Sequence, residues 1–443
     1  MTSLMLSIAL QAVLPYVAIP LLLGFLLRRR LFSPNPQLPP GPTPAPFIGN
    51  LLQMPSVSPE EVFRDWSAVY GDIVHLRIFH QPMIVLNSYE AAQELLDRRS
   101  ASYSDRPRFV LFSELLVAFP LLVSVNCHEL TMNIGWVGNM PLPMPDSESS
   151  SRYKVASIHS RLESGPRFRK HRRFIHQTFN QQAARSLRPV QEREVLTLIE
   201  GLMTTPDQFA QHLRRFAAAT ILKVTYGADV TSVDDMIFFI VAAERAGTLT
   251  VETGTPAATL VDFFPFMRHI PSWAPLAGFK RKAAVTKEAV DRMMNVPYEM
   301  VKRQLESGNA PSCLTSRLLE QCITNAQTGS LSTEDEEDIK GVAGSMFAAA
   351  EDTTICGLTT FILAMVLHPE VYHKVQEEMD RVVGKDAIPS FNDRESLPYL
   401  ECVLKEVLRW NPPAPLGMPH RVMEHDVYRG YHIPQGSTVI ANI

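Results

Sequence analysis

Residues 341–371 read GVAGSMFAAAEDTTICGLTTFILAMVLHPEV, and this stretch decides how the chain is read. It is apolar almost throughout, yet at its centre residues 348–354 are AAAEDTT. No proline intervenes between Ser332 and Pro369, so the run predicts one continuous helix. Ser332-Thr333-Glu334-Asp335-Glu336 is its start: Ser332 or Thr333 caps, with an acid three residues on. The acids also suit the positive end of the helix dipole. Such a helix is about 50 Å long, enough to cross a whole domain. From Val342 to Leu367 it is apolar nearly all round, so it is expected to be buried.

A buried carboxylate is costly unless paired or hydrated. A threonine hydroxyl inside a helix bonds the carbonyl four residues back and loosens the turn. Three alanines before the acids leave a shallow recess. Acid, hydroxyl, opened turn and recess together suit a site that binds a small polar ligand and relays protons. The competing reading has Glu351 and Asp352 reaching solvent at a kink while the threonines merely pack.

The rest of the chain frames that site. Its 443 residues suffice for one large domain or a few ordinary ones. Apolar content fits a globular core, and a net charge of −4 argues against a nucleic-acid partner. The five cysteines are odd in number and widely spaced, without a CxxC, which argues against a disulfide framework or a zinc site. Residues 4–27 carry no charge and are followed by Arg28-Arg29-Arg30. Their length suits a transmembrane anchor, and the arginines belong on the cytosolic side. A cleaved signal peptide would carry its charges before the apolar run. The proline-dense segment at 28–46 is a stiff hinge.

Beyond the hinge, EEVFRDWSAVYG and SYEAAQELLDRRS (Ser88 as N-cap) predict helices, and DIVHLRIF and PMIVLNS predict strands turning at HQP. Helical period dominates VQEREVLTLIEGLM, QFAQHLRRFAAATILKVTYG and KRKAAVTKEAVDRMMNVPYEMVKRQLESG. Strands return in DVYRGYHIP and GSTVIANI, joined as a hairpin through Pro434-Gln435-Gly436. The expected fold is mainly α with a small β portion drawn from both ends. One stretch, about 115–164, lacks helical period and turns serine-rich, too long for a structureless connection inside a domain.

Two further patterns stand out. ECVLKEVLRW places Glu406 and Arg409 on one helical face. GPRFRKHRRFIHQTFN is strongly basic; a solvated face is the ordinary reading, but Phe168 and Arg172 lie one turn apart. An aromatic and a cation so placed suit a cofactor that carries carboxylates.

Taken together, these motifs resemble the cytochrome P-450 (heme-thiolate monooxygenase) family, of the microsomal, anchored kind. AAEDTT resembles its oxygen-activation motif AGxDTT, with Ala350 where glycine is common. EVLR matches ExxR, FRKHR matches WRxxR with Phe168 for tryptophan, and PPGP and YSDRP fit as well. LVDFFPFMRHIPSWAPLAGFKRKA resembles a segment of fungal members near the membrane-facing substrate entrance. The resemblance implies a catalytic domain over 47–443, interrupted at about 115–164. It implies heme b as cofactor and NADPH acting indirectly, through a flavoprotein reductase that meets the basic helix. It implies an apolar substrate and O2, membrane lipid as a neighbour, and an endoplasmic-reticulum location with the catalytic domain cytosolic. Asp352 and Thr353 would deliver protons to dioxygen so that the O–O bond breaks. Glu406 and Arg409 would form a buried structural pair beneath the heme. Phe168, Arg172 and either His420 or Arg421 would meet the heme propionates.

The family's FxxGxRxCxG loop, whose cysteine holds the iron, is not found before Ile443, and none of the five cysteines lies in such a loop. The expectation is therefore a chain truncated ahead of its metal ligand, inactive as it stands, with intron-derived sequence on both sides of MNIGWVGNMP. Two other readings follow. One is a heme-less membrane protein; the other is a same-fold isomerase or dehydratase, which the Asp352-Thr353 pair argues against.

Overall fold

The computed structural model describes residues 37–55, 57–111, 115, 166–230, 239, 241–253, 259–326 and 329–443. The expected anchor at 4–27 and nearly all of the expected insertion lie outside these residues. So does Cys127, one of the five cysteines expected to lie outside any heme-ligating loop.

The helices that build the domain are α1 (Pro59–Tyr70), α2 (Pro166–Phe179), α3 (Arg188–Thr204), α4 (Phe209–Tyr226), α5 (Ala242–Thr253), α6 (Gly278–Glu306), α7 (Leu314–Asn325), α8 (Thr333–Leu367), α9 (Pro369–Val382) and α10 (Pro398–Trp410). The strands are β1 (Ile73–Ile78), β2 (Gln81–Leu86), β3 (His420–Arg421), β4 (Asp426–Tyr428), β5 (Tyr431–Ile433) and β6 (Thr438–Ala441).

The long central helix α8 is present as one element. Ser332 is the cap, its hydroxyl accepting from the Asp335 N–H at 3.0 Å. α4, α6, α7 and α10 pack around it. Ile339, Val342, Ala343, Met346 and Phe347 form the middle of the main apolar cluster, which α4, α6 and α7 complete. By length and composition α8 could cross a membrane, but in this fold it is the core helix. Past its middle, burial becomes one-sided: Thr360 and Ala364 stay buried. Leu363, Val366 and Leu367 are exposed, because the described residues cover that half only on the faces that meet α9 and α10.

The sheet joins both ends of the chain, in the order β1-β2-β6-β3. β1 and β2 form the expected antiparallel hairpin, turning at Phe79 with φ 53°. The C-terminal strands pair differently from the expectation. DVYRGYHIP is not one strand but a complete hairpin, β4–β5, because Arg429 and Gly430 both take positive φ, as a tight two-residue hairpin turn requires. β6 instead runs parallel to β2, pairing Ile84 with Val439, and antiparallel to β3, pairing His420 with Val439. These pairings bring His420 and Arg421 to the rim of the sheet, beside Asp105.

Candidate active site

At the centre of α8 the Thr353 hydroxyl donates to the Ala349 carbonyl at 2.9 Å. That is the back-bond the sequence suggested, and it takes an acceptor from the helix ladder in the recess made by the small residues. Thr353, Thr354, Gly357, Leu358 and Phe361 form one wall of a mainly apolar cavity, with Ala350 at its edge. Val407 and Leu408 of α10 and Phe216 of α4 form other walls. The cavity encloses about 1140 Å³ of non-protein space, its open side included.

The two acids turn away from that cavity. Asp352 points toward α5, where a Cβ on Gly247 would lie 3.7 Å from its Oδ2. Glu351 is only 5% exposed. Facing them is an ion pair between Arg214 of α4 and Glu244 of α5 at 3.3 Å. Burial, then the neighbouring Asp352 charge, pushes the Glu351 carboxyl up to about 8, with Arg214 opposing. Asp352 is exposed as a residue, yet its carboxyl is also pushed up, chiefly by partial desolvation, with Arg214 opposing and Glu244 adding. Of the two acids, Asp352 is exposed and Glu351 is buried.

The basic helix α2 presents a different face from the one the motif suggested. Arg167, Lys170 and His171 converge on the fully buried Asp338 of α8. Lys170 also reaches Asp335 at 2.6 Å. His171 Nε2 lies 2.7 Å from Asp338 Oδ1. Burial holds that imidazole below its ordinary value and so neutral, with Nε2–H as the donor. Phe174, one turn on, enters the core. Arg172 lies on the exposed side of α2. Sequence reasoning missed Asp338, since acids at a helix start already have a reason to be there. The findable signal was the spacing of Arg167, Lys170 and His171 at i, i+3 and i+4.

At the sheet rim, His420 Nδ1 lies 2.7 Å from the Tyr103 carbonyl, so Nδ1 carries the proton. Burial pushes this imidazole down to about 3, and the charge of Arg106 adds to the effect. Arg106, a buried residue that sequence reasoning passed over within YSDRP, donates to the Met418 and Pro419 carbonyls at 2.8 and 2.9 Å. Arg421 spends Nε and Nη2 on the buried carboxylate of Asp105. Of the two residues the motif left open, His420 therefore keeps a ring nitrogen for a ligand, whereas Arg421 is already neutralised. An arriving carboxylate would favour a second proton on His420.

Glu406 and Arg409 do pair in bidentate fashion, at 2.7 and 2.6 Å. The pair is not buried, however; the side chains are 60% and 71% exposed. α10 packs through Val403 and Val407, which places Glu406 and Arg409 off the packed face. The other acids of this region are structural. Glu378 of α9 accepts from the Tyr399 and Leu400 N–H groups and caps the start of α10. Arg394 holds Glu401 beside the cavity.

Taken as donor sets, the apolar cavity walled by threonines suits an apolar group, and the sheet rim, with the Arg106 cation and the neutral His420 imidazole, suits carboxylates. No thiolate donor joins them among the described residues. Cys313 and Cys322 are buried in the core, and Cys313 accepts from the Ser316 N–H as the cap of α7. Cys356 and Cys402 lie along α8 and α10. No group of three or more metal-ligating side chains occurs among the described residues.

The comparisons with known proteins agree with one another. Residues 39–120 and 145–443 match the family described as Cytochrome P450. The match breaks at 121–144, which includes the MNIGWVGNMP segment expected to be the family's own, whereas 145–164, expected to be foreign, lies within the match. Cytochrome P450 monooxygenase 136 of Postia placenta is 40% identical over 410 residues, which is 92% of this chain and 69% of that protein. Cytochrome P450 monooxygenase 176 of the same organism is 37% identical, over 92% of this chain and 70% of its own. Tryptamine 4-monooxygenase of Psilocybe cyanescens is 36% identical, over 92% and 72%.

Proposed function

The chain belongs to the cytochrome P450 family of heme monooxygenases, and from that premise we propose that it inserts one atom of O2 into an apolar organic substrate, with electrons from an NADPH-dependent flavoprotein reductase. Heme iron, when bound, supplies the activation of dioxygen. The chain's own residues supply the rest. Ala350, Gly357, Leu358 and Phe361 keep water from the cavity wall. Thr353 and Asp352 deliver protons, while Arg106 and His420 receive the carboxylates of the cofactor. Arg172, with Phe168 one turn before it, is a further candidate for those carboxylates. The exposed Arg169 and Arg173 give the basic face to an acidic reductase. An anchor at 4–27 would hold the domain against the cytosolic side of the endoplasmic reticulum.

The observation that carries this reading is the Thr353–Ala349 bond: it places a hydroxyl at the cavity wall, with Asp352 one residue away in a partly desolvated corner. The test is expression in microsomes with a reductase, followed by a carbon monoxide difference spectrum and NADPH-dependent product formation. A thiolate-type Soret band and O2-dependent product support it. No heme uptake would favour the second reading, a heme-less membrane protein, to which the placement of the described cysteines lends weight.

A further inference from the structure

Residues 260–283, LVDFFPFMRHIPSWAPLAGFKRKA, take no part in the cavity. They form short turns, Leu260–Phe263, Pro265–His269 and Pro275–Ala277, that lead into α6. The two sides of this segment differ. Val261, Met267, Phe279 and Ala283 face inward, in one apolar cluster with Phe109, Val110 and Leu111. Phe266, Trp273 and Leu276 face outward, and Trp273 is 83% exposed. Aromatic contacts tie the segment to the tip of the β1–β2 hairpin. The Phe264 ring lies 4.9 Å from that of Phe79, and Phe266 meets Phe264 at 6.1 Å between centroids. The Phe79 N–H donates to the Ile48 carbonyl at 3.1 Å, which brings the exposed Phe47 to the same end of the sheet. Leu51 and Met54 pack into the cluster that holds Phe264, and Leu52 between them is left outward. Large apolar side chains gathered in this way, directly after the proline-dense hinge, mark an interaction surface.

The charge beside them is one-sided. Lys280, Arg281 and Lys282 lie in the opening turns of α6, whose first turn holds no acid. Cations there oppose the helix dipole, so they do not serve the helix. The Arg281 guanidinium folds over residues 272–274, donating to the Ser272 and Ala274 carbonyls at 2.8 and 3.3 Å. A cation is thus fixed beside Trp273. None of the three cations pairs with a carboxylate among the described residues. Asp262, the one acid of the segment, accepts from the Leu111 N–H at 3.0 Å. Exposed rings and aliphatic tips edged by unpaired cations suit the boundary of a bilayer, where apolar groups enter the acyl region and cations meet anionic headgroups. We propose that this face, Phe47, Leu52, Phe266, Trp273 and Leu276 with Lys280, Arg281 and Lys282, docks on an anionic phospholipid bilayer. The contact is additional to an anchor at 4–27 and does not depend on it. An anchor tethers the chain, whereas this face sets how the domain sits, with the hairpin tip and the start of α6 toward the lipid.

The test uses the full chain with vesicles of phosphatidylcholine, alone or mixed with phosphatidylserine, their acyl chains brominated to quench tryptophan. The chain holds four tryptophans, so the Trp273 signal is the wild-type emission less that of Trp273→Phe. Trp273 is expected to be quenched, more on the anionic vesicles than on the neutral ones, and the difference should shrink at high salt. In the double variant Lys280→Glu/Lys282→Glu, the ratio of quenched to unquenched Trp273 on anionic vesicles should fall about tenfold. Both glutamates suit the start of a helix, so the variant is expected to fold as the wild type does, which circular dichroism checks. An unquenched Trp273 overturns the surface. Equal quenching on both vesicles, or quenching that charge reversal leaves unchanged, overturns the anionic-lipid proposal. If Trp273 becomes shielded without lipid as protein concentration rises, a second copy is the occupant and the proposal falls. Alkaline extraction of the vesicles judges the anchor separately: a chain released by it is not anchored, and the Trp273 result stands either way.

Discussion

Thr353 and Ala349 are joined by a hydroxyl-to-carbonyl bond of 2.9 Å inside the central helix, at the wall of the apolar cavity. The bond stabilises neither helix nor core to any great extent, since alanine is the better helix former at such a position. Thr353→Ala is expected to leave the melting temperature unchanged or slightly raised. Coupled turnover should fall by about 10²-fold, the usual scale for losing a positioned proton donor. Calorimetry and an assay of peroxide released per NADPH would check both halves. Equal loss of stability and turnover would make Thr353 a packing residue.

Asp338 has no exposed surface and is met by Arg167, Lys170 and His171 from α2. Removing the charge takes a counterion from Arg167 and Lys170, which are partly exposed and stay partly solvated, so the cost is about 1–3 kcal/mol. Asp338→Asn is expected to show that loss in urea unfolding at neutral pH. Although burial raises it, the hydrogen bonds from Lys170, His171 and Arg167 hold the folded Asp338 below its ordinary value of 3.8. The stability it contributes is therefore present above pH 3.8 and lost as pH falls through the lower folded value. The variant should differ from wild type least in strong acid.

His420 offers a second test with pH. Its folded value of about 3 lies below the ordinary 6.5, so the unfolded chain binds the proton first. Stability attributable to this group is intact above 6.5 and declines as pH falls from there toward about 3. His420→Asn keeps a donor for the Tyr103 carbonyl but does not titrate. Its melting temperature should fall less steeply than the wild type's across that window. Parallel curves would mean that His420 titrates normally.

Glu378 caps α10 from the neighbouring helix, accepting at 3.0 and 2.9 Å from two backbone N–H groups. Glu378→Ala leaves both donors without that acceptor and should cost about 1–2 kcal/mol. Hydrogen exchange would show it locally, as faster exchange of the Tyr399 and Leu400 amides. Unchanged protection there would show that the helix start needs no cap.

Some of this was legible in the sequence because it is local. The continuous α8, its Ser332 cap, the β1–β2 hairpin and the Thr353 back-bond each depend on residues within a few positions of one another. Period and capping chemistry suffice for such features. The C-terminal strands were misread because Arg429-Gly430 reads as part of a strand until both residues are seen at positive φ.

What only the tertiary structure decided is which neighbour each side chain meets. The sequence places Glu351 and Asp352 side by side, but the packing of α4 and α5 encloses one and leaves the other at the surface. It places seven basic residues on α2, histidines included, but contact with α8 selects Arg167, Lys170 and His171 for Asp338. It pairs Glu406 with Arg409 by spacing, but burial depends on what lies against that face, and the described residues leave it open. Spacing along a helix fixes direction relative to its own axis. Desolvation, and with it every shifted proton here, depends on elements tens or hundreds of residues away.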